Sequence, residues 1–259
     1  MSGDLGDAAM SFENDDMGSA PRDMAGGEFV PESRFGRWFL NTRIWSDYVL
    51  EFAVADLRRL IGRADTHYPV VLDAGCAHGR SVPFLMDAFR PKQLIEIDRD
   101  PIVLANAIPR AAQAGPAVTL IQGDCTRLPL PDNCVDLIFC HQMLHHVDNQ
   151  SRALREFHRV LKPAGVLLCA ETTRAYIEWW IIRLLFSHPM QTQRDADEYL
   201  TMLRAHGFTV APDAISYPYP WWSRRDLGAA ELLLRIRPPP PGQRDETLLH
   251  VAAVKAEAV

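Results

Sequence analysis

The chain has no surplus of positive charge, no long apolar run and no cysteine pattern, and each absence closes off a class. Its 259 residues carry 27 Lys and Arg against 33 Asp and Glu, a formal net charge of −6. The first 34 residues hold eight acids and two arginines, which is the whole of that excess. The remainder is formally neutral. A protein that collects phosphates needs a basic field, so nucleic acid is not an expected partner. No apolar run approaches the roughly 18 residues that a membrane span requires. No basic stretch followed by an apolar segment opens the chain, so a secretory leader is not expected and a cytoplasmic location is. The five cysteines, Cys76, Cys125, Cys134, Cys140 and Cys169, show no CxxC spacing and lie partly in apolar runs. An odd, unpatterned set reads as small buried side chains in a reducing compartment, not as a disulfide framework. There is no internal repeat.

What is present divides into three stretches. Residues 1–33 are rich in Gly, Asp, Ser and Met with little periodicity, and read as a flexible acidic tail. Residues 34–259 read as a single domain. Within it, 34–62 place apolar residues at helical spacing (Trp38, Phe39, Ile44, Trp45, Val49, Phe52) and predict one or two amphipathic helices. From 69 to 171, short apolar strands alternate with helices. Strands are expected at Val70–Leu72, Gln93–Ile97, Ala117–Ile121, Val135–Cys140 and Val166–Ala170. Helices are expected at Ser81–Phe89, Pro101–Ala112 and Gln150–Leu161, the last ended by Pro163 and Gly165. Such alternation implies an α/β fold with a mostly parallel, Rossmann-like sheet covered on both faces. In 172–259 the spacing predicts helices at Asp195–His206 and Asp226–Ile236 and two late strands, Phe208–Tyr217 and Leu248–Val254. That makes a seven-stranded sheet with helical insertions. The run Pro238–Pro241 reads as a stiff loop.

Three strand ends carry the chemistry. The first runs into Asp73-Ala74-Gly75-Cys76-Ala77-His78-Gly79, where small residues let the backbone pass close to a ligand and the next helix offers unpaired N–H groups. The second ends at Glu96-Ile97-Asp98-Arg99, and an acid there can accept from both hydroxyls of a ribose. The third is followed by Gly123-Asp124-Cys125, where an acid can accept from an exocyclic adenine amine. Any one of these acids could be a turn cap; all three at these spacings point to a nucleoside-bearing ligand at the carboxyl ends of an open sheet.

The blocks VLDAGCAHGRS, IEIDRD, GDCTRLPLPDNCVDLIFC, HQMLHHVDN and ALREFHRVLKPAGVLL, in that order, resemble the class I S-adenosylmethionine-dependent methyltransferases. The resemblance runs from 70 to about 171, and the LRAHGF pattern extends it to about 210. It implies an enzyme using S-adenosylmethionine and releasing S-adenosylhomocysteine. By position it implies that Gly75, Cys76 and Gly79 form the loop around the methionine part, with Asp73 near its amino group. Asp98 and Arg99 would lie at the ribose, Asp124 and Cys125 at the adenine, and His141 between cofactor and acceptor. The sequence departs from the pattern at two glycines, replaced by Ala77 in the loop and Ala164 in the Pro-Ala-Gly turn. An alanine is accommodated if its φ is negative. The loop lacks the full G-x-G-x-x-G of dinucleotide oxidoreductases.

Methyl transfer is an in-line displacement in which the cofactor supplies the reactivity and the protein supplies alignment. A base is needed only for an acceptor that keeps its proton, and His141 and His146 are the candidates; Glu171 and Thr172 are weaker ones. His78 is expected at the surface or on the cofactor side. No metal site is expected, because adjacent His145 and His146 cannot act as an i, i+4 pair on one helix face. All six tryptophans lie outside the core blocks. Rings such as Trp45, Tyr176, Trp179 and Trp222 would wall a pocket for a hydrophobic small molecule, a secondary metabolite or an isoprenoid-like compound. The apolar run Tyr176–Phe186 reads as a buried lid or a homodimer helix. A quinone-type C-methyltransferase at a membrane surface, and a non-catalytic cofactor-binding protein, are the other readings.

Overall fold

The computed structural model describes residues 32–62 and 67–256. The acidic tail expected over 1–33 thus falls almost wholly outside the described residues. The chain enters through α1 (Arg34–Leu40), α2 (Arg43–Trp45), a π-helical turn over Ser46–Leu50, and α3 (Glu51–Leu60). Ser33 caps α1 by accepting from the Gly36 amide at 2.8 Å. Helix α3 buries Ala53, Val54, Leu57 and Leu60 at the i, i+1, i+4, i+7 spacing of one face.

Five parallel strands follow: β1 (Val70–Ala74), β2 (Gln93–Asp98), β3 (Val118–Gln122), β4 (Val135–His141) and β5 (Leu161–Thr172). Between them run α4 (Val82–Phe89), α5 (Pro101–Ala105), α6 (Ile108–Ala114) and α7 (Gln150–Val160). The single helix expected over 101–112 is broken in two. Pro109 has no N–H to give the Ala105 carbonyl, so the helix cannot run through it. Asp100 opens α5 as foreseen, accepting from the Ile102 amide at 2.8 Å. Helix α7 ends at Val160, sooner than expected, because Leu161 already pairs with Val135.

The last third holds α8 (Arg174–Ile177), α9 (Trp180–Leu185), α10 (Ala196–Ala205), β6 (Phe208–Thr209), β7 (Ile215–Ser216), α11 (Ala229–Leu234) and β8 (Leu248–Lys255). A reciprocal capping box joins Asp195 and Glu198 at the start of α10. The strand expected over 208–217 is two short ones, parted by a 3-10 turn at Pro212–Ala214. The sheet therefore has eight strands in place of seven, in the order β3-β2-β1-β4-β5-β8-β6, with β7 also on β8. β8 runs antiparallel between β5 and β6. One face packs against α7 and α10 through Leu154, Phe157, Tyr199 and Leu203; the other packs against α3 and α4 through Leu57 and Leu85. No helix among the described residues is long and apolar enough to cross a membrane.

Candidate functional site

Strand order reverses between β1 and β4, and the carboxyl ends of the parallel strands open there into two connected hollows. A cleft of about 190 Å³ is walled by Gly75, Ala77, Asp98, Arg99, Asp124 and Cys125, with Met143 and Asn149 across from them. A larger cavity of about 650 Å³ lies beside it. Gly75, Ala77, Leu40, Gln142, His146 and Glu32 line both, so the two meet at the loop after β1.

The loop is held from below by the acid of the second strand. Asp98 Oδ2 accepts from the Ala77 amide at 2.8 Å and its Oδ1 accepts from the Asp100 amide at 2.9 Å. Each oxygen keeps a lone pair for a ribose hydroxyl. Burial pushes the Asp98 carboxyl up to about 6 despite those amides. Asp73 is fully enclosed beside it and takes the Ser81 hydroxyl on Oδ2. Burial, with the Asp98 charge added, raises Asp73 to about 7. Glu96, opposite Asp73 across β1 and β2, is driven well above the usual carboxylate range by burial and by Asp73. A bound ammonium would relieve this crowd of buried acids. Asp124 accepts from the Thr126 amide at 2.7 Å and lies 3.7 Å from Arg99 Nη1.

Gly75 has φ 82°, and a Cβ there would strike Met143 Cγ. Ala77 has φ 47°, and Ala164 has φ 60°. The condition of a negative φ is not met: both alanines keep the left-handed geometry that glycine favours. Gly79 does not line either hollow. Its hydrogen faces Ala107, whose Cβ would lie 2.8 Å from an added methyl, so it serves the packing of the loop. Cys76 and Cys125 are buried, their thiols raised by burial, Cys76 well above the ordinary value.

Of the two places expected for His78, the surface is excluded: it is buried and lines the larger cavity, with its Nε2 3.0 Å from the Arg37 carbonyl. Arg110 donates to the His78 carbonyl at 2.8 Å and to Asn41 Oδ1 at 3.0 Å, and Arg80 Nε also reaches Asn41 Oδ1 at 3.2 Å. These bonds latch α1 across the mouth of the cleft. No spacing rule links these residues, which meet across separations of 32 to 69 in the chain.

The larger cavity is walled by Phe39, Trp45, Tyr176, Trp179, Phe186 and Trp222, and by Ile181, Ile182 and Leu185 of α9. Trp180 and Leu184 of α9 face outward, so the apolar run is half wall and half surface. Trp38, Tyr217 and Tyr219 do not line it. His141 does, stacked on Phe139 at 5.8 Å and tilted against Trp45 at 5.5 Å. Burial, with His250 and His145 nearby, pulls its imidazole down to about 3. Glu171 is buried at the end of β5 and organises the turn after β4. It accepts from the Met143 and Leu144 amides at 3.1 and 2.8 Å, and its Oε2 lies 2.7 Å from His145 Nδ1. His146 sits with its ring 4.3 Å from that of His145 and 5.0 Å from that of His188. The adjacent pair converges because a 3-10 turn, Leu144–His146, carries it; no helix face is needed. No local pattern singles out His188, which arrives from the loop after α9.

An open sheet with a small-residue turn after β1, an acid closing β2 and another after β3 defines a nucleoside-binding α/β domain. Residues 72–169 match the family model described as "Methyltransferase domain". A Mycobacterium tuberculosis protein named "Probable S-adenosylmethionine-dependent methyltransferase" is 32% identical over 139 residues, 53% of this chain and 48% of that one. The Escherichia coli protein named "Ubiquinone/menaquinone biosynthesis C-methyltransferase" is 36% identical over 102 residues, 39% of this chain and 36% of that one. The chain thus spans half or less of the length of these curated relatives. A crystal structure of a SAM-dependent methyltransferase from Aquifex aeolicus superposes with TM-score 0.60 at 17% identity, covering 85% of this chain and 97% of that one. The [4+2]-cyclase SpnF superposes with TM-score 0.59 at 20% identity, over 80% of this chain and 81% of its own. Over residues 72–169 the chain is thus similar to S-adenosylmethionine-dependent methyltransferases, and the solved structures share its fold.

Proposed function

We propose that the protein transfers a methyl group from S-adenosylmethionine to a hydrophobic small molecule held in the larger cavity. The observation that carries this reading is the shared wall: the loop Gly75–Ala77 borders both the nucleoside cleft and the aromatic cavity. A cofactor with its adenosine over Asp98 and its amino acid part over Asp73 would present its methyl group at that junction. A cavity of about 650 Å³ lies in the range used for whole small-molecule ligands. Asp98 would take the ribose, Asp124 and the backbone at Cys125 the adenine, and Asp73 the ammonium. Arg99, paired with Asp124, would border the ribose without taking its hydroxyls.

The role of His141 follows from its surroundings. A ring held near 3 is neutral at pH 7 and a weak base, so it shapes and dries the cavity and does not draw a proton from a reluctant acceptor. Alignment and exclusion of water then supply the acceleration. His146 is set into a cluster of rings, which argues against its acting as a lone base.

Two other readings have specific support. The names of the Escherichia coli relative and of a Lysinibacillus sphaericus demethylmenaquinone methyltransferase, 32% identical over 83 residues, favour a quinone-like acceptor methylated at carbon. The cyclase among the structural neighbours favours a fold that turns over no methyl group. Calorimetry with S-adenosylmethionine and S-adenosylhomocysteine is the first test, followed by mass gain of quinone-like and phenolic acceptors. Micromolar binding that falls at least tenfold in Asp98→Ala supports the cofactor site. Binding without mass gain on any acceptor favours the cyclase-like reading, and absence of binding overturns the proposal.

A further inference from the structure

His145, His146 and His188 offer one ring nitrogen each within 4.8 Å of one another, in the wall of the aromatic cavity. Tetrahedral coordination at about 2.0–2.1 Å puts imidazole nitrogens about 3.3 Å apart, so the rings need close by at most about 1.5 Å. Three further observations set this cluster apart from packed rings. His145 is fixed from behind: Glu171 Oε2 holds its Nδ1 at 2.7 Å, which makes Nδ1 the donor and leaves the Nε2 lone pair for a ligand. Glu171 is itself pinned by two backbone amides, so it orients the ring and does not compete for it. His188 Nδ1 is buried with no hydrogen-bond partner among the described residues, an arrangement that costs energy if nothing occupies it. A carboxylate completes the surround: Glu32 Oε2 stands 4.0 Å from His146 Nε2, while its Oε1 is held by the Ser187 amide at 2.9 Å.

We propose that His145, His146 and His188 form a binding site for a divalent transition metal, Zn²⁺ in the first instance, with one coordination position open to the acceptor cavity. Glu171 is the positioning residue behind His145. Three imidazoles with an open fourth place is a donor set suited to Zn²⁺ and its neighbours in the first transition row. What the open position would face rests on the reading of the cavity as the acceptor site; the binding of the metal does not. A hydroxyl-bearing apolar acceptor is the class it would take, a phenol or an enol. Oxygen bound there would lose its proton to solvent near neutral pH, as metal-bound water does. The phenoxide or enolate oxygen would then form the new O–CH₃ bond as the S–CH₃ bond of the sulfonium breaks, its electron pair leaving with sulfur.

The test uses the full chain, stripped with a chelator, and titrated with Zn²⁺ by calorimetry and with Co²⁺ by visible absorption. One Zn²⁺ per chain at micromolar affinity or tighter, with the intense visible bands of tetrahedral Co²⁺, is the expected result. His188→Ala should weaken Zn²⁺ at least tenfold, and Glu171→Gln tenfold to a hundredfold. His188 lies in a loop, so its variant keeps the test decisive if Glu171→Gln does not fold. S-adenosylhomocysteine binding is measured on the same samples and should not change in His188→Ala. Zn²⁺ binding no tighter than millimolar, or equal in wild type and His188→Ala, overturns the site. Zn²⁺ binding without S-adenosylhomocysteine binding upholds the site and overturns the methyltransferase reading; the reverse result does the opposite.

Discussion

The amide of Ala77 donates to Asp98 Oδ2 at 2.8 Å while Ala77 itself sits at φ 47°. The acid that would hold the ribose thus also holds the loop that would cover the methionine, and it does so through a residue in a strained conformation. A Cβ in the left-handed region costs roughly 1–2 kcal/mol, less the entropy that glycine would lose on folding. Ala77→Gly should therefore stabilise the fold by about 0.5–1 kcal/mol, read as a rise of roughly 1–4 °C in Tm for a chain of this size. Its S-adenosylhomocysteine affinity should stay within about threefold of wild type. A fall in Tm would show that the backbone entropy lost by glycine outweighs the strain it relieves.

The split between what the sequence disclosed and what it hid follows the range of the interactions. Strand ends are local: Asp73, Asp98 and Asp124 could be placed because each closes or follows an apolar run of five or six residues. The parallel core was legible for the same reason, since alternating runs admit few topologies. Three things were not. The break in the 101–112 helix needed the effect of Pro109 to be carried through one turn. The division of the 208–217 strand turned on Pro212. The meeting of His188 with His145 and His146 depends on how the loop after α9 folds back, which no periodicity encodes. Ala77 shows a subtler limit: alanine favours negative φ, and the hydrogen bond from its amide to Asp98 accompanies a φ of 47°.

Gly75 stands where the backbone comes closest to the opposite wall. Its φ is 82°, and an added Cβ would meet the Met143 side chain. Met143 is anchored through its amide on Glu171, so it can yield only at its flexible end. Gly75→Val adds a branched Cβ in a conformation such residues scarcely adopt. It should lower S-adenosylhomocysteine affinity at least a hundredfold and Tm by several degrees. Calorimetry beside a melting curve checks both, and retained affinity would place the ligand away from this loop.

The acids beneath the loop make the unliganded fold pH-sensitive in an unusual direction. Asp73 is raised by burial to about 7 from an ordinary 3.8. Between pH 4 and 7 the folded chain keeps a proton that the unfolded chain has released. The stability linked to Asp73 is therefore full below about pH 4 and is lost as pH rises through 7. Asp73→Asn removes the charge while leaving an oxygen for the Ser81 hydroxyl. At pH 8 it should be more stable than wild type by roughly 2–4 kcal/mol, with the difference vanishing at pH 4. Denaturant titrations at the two pH values measure this; equal stability at pH 8 would mean that Asp73 is not strained by ionisation.

Cofactor affinity should run the other way with pH. A ribose hydroxyl donates best to an ionised carboxylate, and both oxygens of Asp98 already accept from amides that favour that form. Burial nonetheless holds the group near 6, so at pH 7 and above it is charged and at pH 5 about nine-tenths of it is protonated. If the ionised forms of Asp98 and Asp73 are the ones that bind, affinity for S-adenosylhomocysteine levels off only above about pH 7, falls up to about tenfold per unit from 7 to 6, and falls more steeply, towards a hundredfold per unit, below 6. Asp98→Asn should bind weakly throughout and lose the extra steepness below pH 6, keeping only the slope that Asp73 contributes below 7. The comparison separates Asp98 from Asp73, because Asp73→Asn should keep the slope below 6 but lose the one that begins near 7, its deficit against wild type shrinking towards pH 5. Calorimetry on the three proteins from pH 5 to 8 measures the slopes, and a wild-type affinity that does not change below pH 6 would remove Asp98 from the ribose.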